Sequence, residues 1–156
     1  VFNFFIERKG ESDKVRLKFT KNIKFSCLIC FEDIFPDLTR RFINNGALFL
    51  VNMTNDAWFG RTNAPYQHAQ NSIFRAVENR VNVIRAANTG HSCFIDQKGR
   101  IIAQVGDPGK EIFTDGYKIC EIILTKTRTL YTVYGDLFAY LCVIISLLYI
   151  VKVRRK

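Results

Sequence analysis

A cysteine followed by two acids is the segment of this sequence best suited to covalent chemistry. Cys30, Phe31, Glu32 and Asp33 stand in a row at the end of a buried strand pattern over residues 25–30. A nucleophile at a strand end is held out toward substrate, and the backbone N–H of Phe31 can stabilise a developing oxyanion. We interpret Cys30 as a candidate nucleophile and Glu32 as a group that orients a substrate amine or holds the local network. The alternative is that Cys30 is a small core residue.

A second polar and aromatic segment follows the next predicted strand, over residues 47–53. Asn55, Asp56 and Trp58 come shortly after it, and the carboxyl ends of strands are where α/β sheets bind ligands. We interpret these three residues as candidate substrate-binding groups. The alternative is an ordinary loop in which Asp56 is a helix cap and Trp58 fills a gap.

The cysteine pattern does not predict a metal site. Cys27 and Cys30 form a C-x-x-C pair, but the chain has 5 cysteines, 2 histidines and no second pair at a suitable distance. Positions three apart on a strand point to opposite faces, which disfavours both a shared metal and a disulfide. We therefore predict neither a metal nor a cofactor.

The elements that must position these residues alternate between strand and helix. The chain of 156 residues, 48% hydrophobic and 24% charged, has the length and balance of one folded domain. The patterns predict a helix from Asp37 that Gly46 stops, and an amphipathic helix within residues 65–80. The further predicted strands cover residues 82–87, a hairpin turning at residues 96–99, and residues 117–124. This order predicts a mixed α/β layered fold.

The C-terminal segment predicts a transmembrane helix. Residues 137–151 carry no charge, and the basic residues Lys152, Arg154, Arg155 and Lys156 follow directly, as on a cytoplasmic flank. The alternative is a buried core helix. By the positive-inside rule the globular part lies on the other side of the membrane, which is the periplasm in a bacterium.

The net charge of +9 raises nucleic acid as a partner. No basic stripe interleaved with stacking aromatic residues is present, so nucleic acid is only a minor interpretation. Because residue 1 is Val and no signal peptide follows, we expect the chain to be the C-terminal piece of a longer protein.

Several segments together resemble one family. CLICFEDIFPDLTRRF, LFLVNMTNDAWFG, the Tyr66-Gln67-His68 segment, the RAVE segment at residues 75–78 and RAANTGHSCFIDQKGRI occur in this order. They look like the C-terminal half of a nitrilase-superfamily (carbon-nitrogen hydrolase) domain. The NDAWFG loop, the P-x-Q-H motif and the terminal helix narrow the resemblance to the bacterial apolipoprotein N-acyltransferase family. It implies the C-terminal part of a nitrilase-like αββα sandwich over residues 1–130, and one transmembrane helix with a basic cytoplasmic tail over residues 131–156.

The resemblance also implies a reaction. Cys30 matches the nucleophile of a Glu-Lys-Cys set, which takes a fatty acyl group from a phospholipid as a thioester. The acceptor is the α-amino group of the diacylglyceryl-cysteine of an apolipoprotein. Glu32 matches the family's glutamate after the nucleophile, Phe31 an aromatic position, and Trp58 the tryptophan near the acyl-binding entrance. The implied location is the bacterial inner membrane, with the catalytic domain on the periplasmic side.

One part of the implied catalytic set has no match. The family's general-base glutamate and lysine lie well upstream of the nucleophile, and we assign those roles to none of Glu7, Glu11, Lys9 and Lys14. We therefore expect these 156 residues alone to be incomplete and inactive. Three interpretations stay open: a piece of an acyltransferase, another carbon-nitrogen hydrolase or amidase, and an inactive membrane-tethered remnant.

Overall fold

A computed structural model of the chain describes residues 23–124 and 126–155. One mixed sheet of five strands forms its centre, with the strands side by side in sequence order. The strands are β1 (Ser26–Ile29), β2 (Phe49–Asn55), β3 (Asn82–Asn88), β4 (Cys93–Ile95) and β5 (Ile101–Gln104). The helices are α1 (Pro36–Asn44), α2 (Ala64–Asn79), α3 (Leu130–Tyr134) and α4 (Leu137–Arg154).

The connections explain the strand directions. Strands β1, β2 and β3 are parallel, because α1 and α2 each return the chain to the starting edge before the next strand. Strands β3, β4 and β5 are antiparallel and are joined by short turns. The carboxyl ends of β1, β2 and β3 therefore meet at one edge of the sheet. That edge carries the two segments to which the sequence assigns chemistry.

One face of the sheet forms the core. Leu28, Leu50, Val83 and Ile95 alternate onto this face and are fully buried, and α1 and α2 contribute apolar side chains to the same cluster. Toward the carboxyl ends this face becomes polar. Asn52 of β2 and Arg85 of β3 are partners in register there, and both are buried.

Most of the predicted elements are confirmed, with shifted ends. Both helices, the strand beginning at residue 82 and the hairpin are present, and the strand predicted over residues 47–53 lies at Phe49–Asn55. The helix expected to stop at Gly46 ends at Asn44. The strand predicted over residues 25–30 ends at Ile29, and the chain then turns sharply.

The predicted strand over residues 117–124 is wrong. This segment is irregular and pairs with no strand of the described residues. Side chains take the place of a strand partner, because Asn82 Nδ2 and Gln97 Nε2 donate to the Ile123 carbonyl at 2.6 and 2.7 Å. An apolar alternating pattern makes a strand only where a sheet edge is free to pair with it.

The apolar C-terminal segment forms a single exposed helix. Helix α4 has 18 residues with a mean hydropathy of 2.0, and none of it is buried against the rest of the chain. Its length and composition are sufficient to cross a membrane, and it is not a buried core helix. Before it, α3 packs on α1 and α2, and Thr132 Oγ1 donates to Asn79 Oδ1 at 3.0 Å. The division of the chain at residue 131 stays a prediction.

Candidate active site

Cys30 lies at the point where β1 turns into a single 3-10 turn, Cys30–Ile34, which we call the elbow. Its φ is 52°, in the left-handed region that residues other than glycine rarely adopt and that clusters at functional sites. Two hydrogen bonds hold this conformation. Asn52 Nδ2 donates to the Cys30 carbonyl at 3.0 Å, and the Ile29 N–H donates to Glu32 Oε2 at 2.8 Å. The carboxylate of Glu32 therefore fastens the elbow back onto the strand.

Aromatic rings line one side of the elbow. The Phe31 ring meets the Trp58 ring edge-on at 5.8 Å, and Trp58 stacks on Phe59 at 4.8 Å. Phe31 also stacks on the His68 ring at 4.4 Å, with 23° between the planes. We call Phe31, Trp58 and Phe59 the aromatic cluster. Trp58 is 69% exposed, so this apolar cluster is open to a ligand beside Cys30.

The loop that carries Trp58, residues 55–60, has one polar side chain outside and one inside. Asn55 is exposed, and its Oδ1 accepts from the Ala57 N–H and from Asn88 Nδ2. Asp56 is fully buried. Thr54 Oγ1 and His68 Nδ1 bind Asp56 Oδ1 at 3.0 and 2.8 Å. The structure thus brings Phe31 and Trp58 together beside Cys30 and turns Asp56 inward, below them.

Four charged side chains form a network under the elbow. Arg85 Nη2 donates to Asp56 Oδ2 at 3.0 Å, and Arg85 Nη1 donates to Asp33 Oδ2 at 3.2 Å. His68 Nε2 lies 3.4 Å from Asp33 Oδ1, an ion-pair contact longer than a good hydrogen bond. All four side chains are at most 1% exposed. We call Asp33, Asp56, His68 and Arg85 the buried ion network.

The network also supports Cys30 through Asn52. Arg85 Nη1 donates to Asn52 Oδ1 at 2.7 Å, and Asn52 in turn donates to the Cys30 carbonyl. Ser72 Oγ donates to Asp33 Oδ2 at 2.6 Å. One chain of hydrogen bonds therefore runs from α2 and β3 to the backbone of the elbow.

Charge pairing within the network shifts the pKa of two of its members. Burial opposes the charge of Asp56, but the hydrogen bond from His68 and the charge of Arg85 lower its pKa overall. Burial also opposes protonation of His68, yet the two carboxylates beside it raise its pKa to about 9. At neutral pH the network therefore holds an imidazolium and the Asp56 carboxylate.

The other cysteines near the sheet are poorer candidates for a nucleophile. Burial raises the pKa of the Cys27 thiol, and it raises that of Cys93 to about 11. A thiol of raised pKa forms little thiolate near neutral pH. All five cysteines are free thiols. Within residues 23–124 and 126–155, no group of three His, Cys, Asp or Glu side chains could hold a metal ion.

Sequence reasoning missed most of the buried ion network. His68 enters the sequence interpretation only as part of a motif, and Asn52 and Arg85 only as positions within predicted strands. A signal was present, because a polar or charged residue inside an otherwise apolar strand must find a partner when it is buried. Asn52 in LFLVNM and Arg85 in NVIRAA are such residues.

The family profile that matches this chain decides its identity. It is that of carbon-nitrogen hydrolases, and it covers residues 3–121. The chain belongs to the carbon-nitrogen hydrolase family. The fold is thus nitrilase-like, as the resemblance implied. The described residues hold one sheet with its helices, and no second sheet of a sandwich lies among them.

Two curated relatives share one more specific name. An apolipoprotein N-acyltransferase of Geobacter metallireducens is 46% identical over 120 residues, which are 77% of this chain and 22% of the relative. An apolipoprotein N-acyltransferase of Borreliella burgdorferi is 35% identical over 147 residues, 94% of this chain and 27% of the relative. This chain thus spans about a quarter of the length of these relatives. Among solved structures, Nit3 of Saccharomyces cerevisiae aligns with 55% of this chain and 33% of its own, at 23% identity and a TM-score of 0.43.

Gly90 offers a test of how tightly the network is packed. A Cβ at this position would lie 2.8 Å from both Cβ and Cγ of Asp56, whose carboxylate cannot move without leaving Arg85. We expect Gly90→Ala to lower the free energy of unfolding by roughly 2 kcal/mol or more. Urea unfolding in detergent, followed by circular dichroism, measures this change.

Gly116→Ala is the matched control for this substitution. Its added Cβ would meet only a methyl group of Val105, at 3.0 Å. We expect its cost to stay below about 1 kcal/mol. Equal losses in the two variants would show that Asp56 is not rigidly held.

Proposed function

We propose that this chain carries the nucleophile of a membrane-bound apolipoprotein N-acyltransferase. The observation that carries the proposal is the strained Cys30 at the end of β1, beside an exposed aromatic cluster. Relatives that are named apolipoprotein N-acyltransferases, at up to 46% identity over more than a hundred residues, support the substrate class. The substrates are a phospholipid acyl donor and an apolipoprotein whose N-terminal cysteine carries diacylglycerol.

The first half of the proposed reaction is acyl transfer to the enzyme. The Cys30 thiolate attacks the ester carbonyl of the phospholipid, and a carbon–sulfur bond forms while the carbonyl oxygen becomes an oxyanion. The backbone N–H of Phe31, the first after the nucleophile, is the candidate donor to that oxygen. The carbon–oxygen ester bond then breaks, and the departing lysophospholipid oxygen takes a proton. A thioester on Cys30 remains.

The second half returns the thiol. The α-amino group of the apolipoprotein cysteine attacks the thioester carbonyl, an amide bond forms, and the carbon–sulfur bond breaks. The amine loses a proton, which restores the Cys30 thiol. Between the two halves the thioester must be kept from water, and the apolar rings of Phe31 and Trp58 suit that task as a contact for the acyl chain.

The proton transfers need a base that we assign to polypeptide beyond the described residues. Glu32 is the nearest carboxylate in sequence, but it accepts the Ile29 N–H and so fastens the elbow. Glu7, Glu11, Lys9 and Lys14 lie outside the described residues. Because the chain spans only 22% to 27% of the two relatives above, we propose that the missing glutamate and lysine are supplied by the remainder of a complete enzyme. The chain alone is then inactive.

Helix α4 supports a membrane location. Its surface is apolar and wholly exposed, which favours a lipid environment over water. A lipid-modifying enzyme needs its site close to a bilayer, whereas an amidase acting on small soluble substrates has no use for such a helix. We therefore favour the acyltransferase over another carbon-nitrogen hydrolase, in the inner membrane and with the catalytic part on the periplasmic side.

The central prediction is a thioester on Cys30. When the chain is combined with the remainder of a relative and given phospholipid, we expect acylation of Cys30 and of none of the other cysteines, because Cys30 alone stands at the elbow. Peptide mass spectrometry locates the acyl group, and N-acylation of a diacylglyceryl peptide measures turnover. Acylation of Cys27 or Cys93, or turnover by Cys30→Ala, would refute the assignment. Turnover by the chain alone would refute the incomplete site.

The role of Glu32 can be separated into its charge and its hydrogen bond. Glu32→Gln keeps an oxygen that can accept the Ile29 N–H but removes the negative charge beside Cys30. We expect turnover to fall roughly tenfold or more, with nearly unchanged unfolding free energy. Asp37→Asn is the control, because it removes an exposed carboxylate whose ion pair among the described residues is with Arg40. Equal turnover in the two variants would remove Glu32 from the site.

Helix α4 should span the membrane with its basic end in the cytoplasm. A cysteine added after the last residue, in a chain whose 5 own cysteines are replaced by serine, should resist an impermeant thiol reagent in intact cells and react after lysis. Labelling of intact cells would contradict the orientation. Extraction of the chain by alkaline carbonate would contradict the span.

A further inference from the structure

His68 is in an unusual position for a buried histidine. It lies on α2 and is 3% exposed, and each of its ring nitrogens faces a different carboxylate. Nδ1 is 2.8 Å from Asp56 Oδ1, and Nε2 is 3.4 Å from Asp33 Oδ1. A neutral imidazole would place a lone pair against one of these oxygens, whereas an imidazolium presents a donor to both. The geometry therefore favours the cation over the neutral ring.

The two carboxylates belong to the two segments that build the site. Asp33 lies in the elbow, three residues after Cys30, and Asp56 lies in the loop that carries Trp58. His68 is thus a bridge between the nucleophile's turn and the loop of the aromatic cluster. Arg85 also contacts both carboxylates, from the opposite strand β3.

His68 has a contact that Arg85 lacks. Its ring lies against the Phe31 ring, 4.4 Å between centroids and 23° from parallel. A cation on an aromatic face is attracted by the ring quadrupole, and the attraction is strongest where water is excluded. Phe31 directly follows Cys30, and its backbone N–H is the oxyanion donor considered above. The charge of His68 therefore acts on the residue next to the nucleophile.

We propose that His68 is a positioning residue of this site, a buried imidazolium that holds Phe31 by stacking and joins the elbow to the Trp58 loop through Asp33 and Asp56. The inference rests on the proposed function only in taking Cys30 as the nucleophile. The proposal has a consequence for pH dependence. Loss of the His68 proton releases Phe31 and, with it, the other two rings of the aromatic cluster.

The charged groups that face His68 set the pH at which this release occurs. Asp33 and Asp56 favour the proton and Arg85 opposes it, and the balance raises the pKa of His68 to about 9. Since the folded-state pKa lies above the ordinary value of about 6.5, the stabilisation is complete below that value. It is lost as the pH rises through 9.

The chain supplies its own probes for this coupling. It has 2 histidines and 1 tryptophan, and that tryptophan is Trp58 of the aromatic cluster. In detergent, we expect the ring carbons of His68 to titrate with a midpoint near pH 9 by NMR with labelled histidine. Trp58 fluorescence should change with the same midpoint while the far-ultraviolet circular dichroism stays constant. A His68 midpoint near 6.5, or a Trp58 fluorescence that does not change as His68 titrates, would overturn the proposal.

Variants separate His68 from a general effect of pH. His68→Gln should abolish the fluorescence transition, and His91→Gln should keep it. His91 is the matched control because it is also buried, meets the Tyr66 ring edge-on and binds Gln104. If His68→Gln does not fold, Asp56→Asn serves in its place and should move both midpoints to lower pH. A transition that survives His68→Gln, or midpoints that Asp56→Asn leaves in place, would overturn the proposal.

Activity gives a second and separable readout. With the remainder of a relative supplied, His68→Gln should lower kcat roughly tenfold or more, because the elbow and the aromatic cluster are both misplaced. Unchanged kcat would overturn the positioning role. If the wild-type chain transfers no acyl group at all, the proposed function fails, while the His68 and Trp58 midpoints still decide the present inference.

Discussion

The buried ion network is the interaction on which the geometry of the site depends. Two carboxylates and two cations lie beneath the elbow with almost no exposure to solvent. An unpaired charge at such a place would cost several kcal/mol, so all four must meet at once. They come from the elbow, the Trp58 loop, α2 and β3. Pairing the charges therefore fixes those four elements relative to one another.

Such a network specifies geometry more than it adds stability. Replacing a buried ion pair by apolar groups of similar size is often neutral, whereas removing one partner is strongly destabilising. In this chain the geometry that is specified includes the left-handed Cys30, whose carbonyl is held by Asn52, which Arg85 holds in turn. A strained residue persists only when several contacts around it hold it in place. The buried ion network supplies these contacts.

The sequence predicted the elements better than it predicted their polar contacts. Apolar periodicity located both helices of the core and the hairpin, because burial of one face is a local property of the pattern. The prediction of a strand at residues 117–124 was wrong, since strand pairing depends on a sheet edge that is formed elsewhere in the fold. The contacts of Arg85 and His68 were not predicted for a related reason. Nothing adjacent in sequence reveals that Asp33 and Asp56 approach them from other elements.

The layers of the site have an order of polarity that suits the proposed lipid substrate. Outermost is the exposed ring of Trp58, next the half-buried Phe31, and beneath both the charged His68. A soluble enzyme commonly presents polar groups outward and apolar groups inward. The reversed order beside Cys30 places apolar surface where an acyl chain would lie and keeps the charges away from it. Helix α4 presents the same apolar character to its surroundings. Cys30 and the helix are thus both suited to the proposed location at a bilayer.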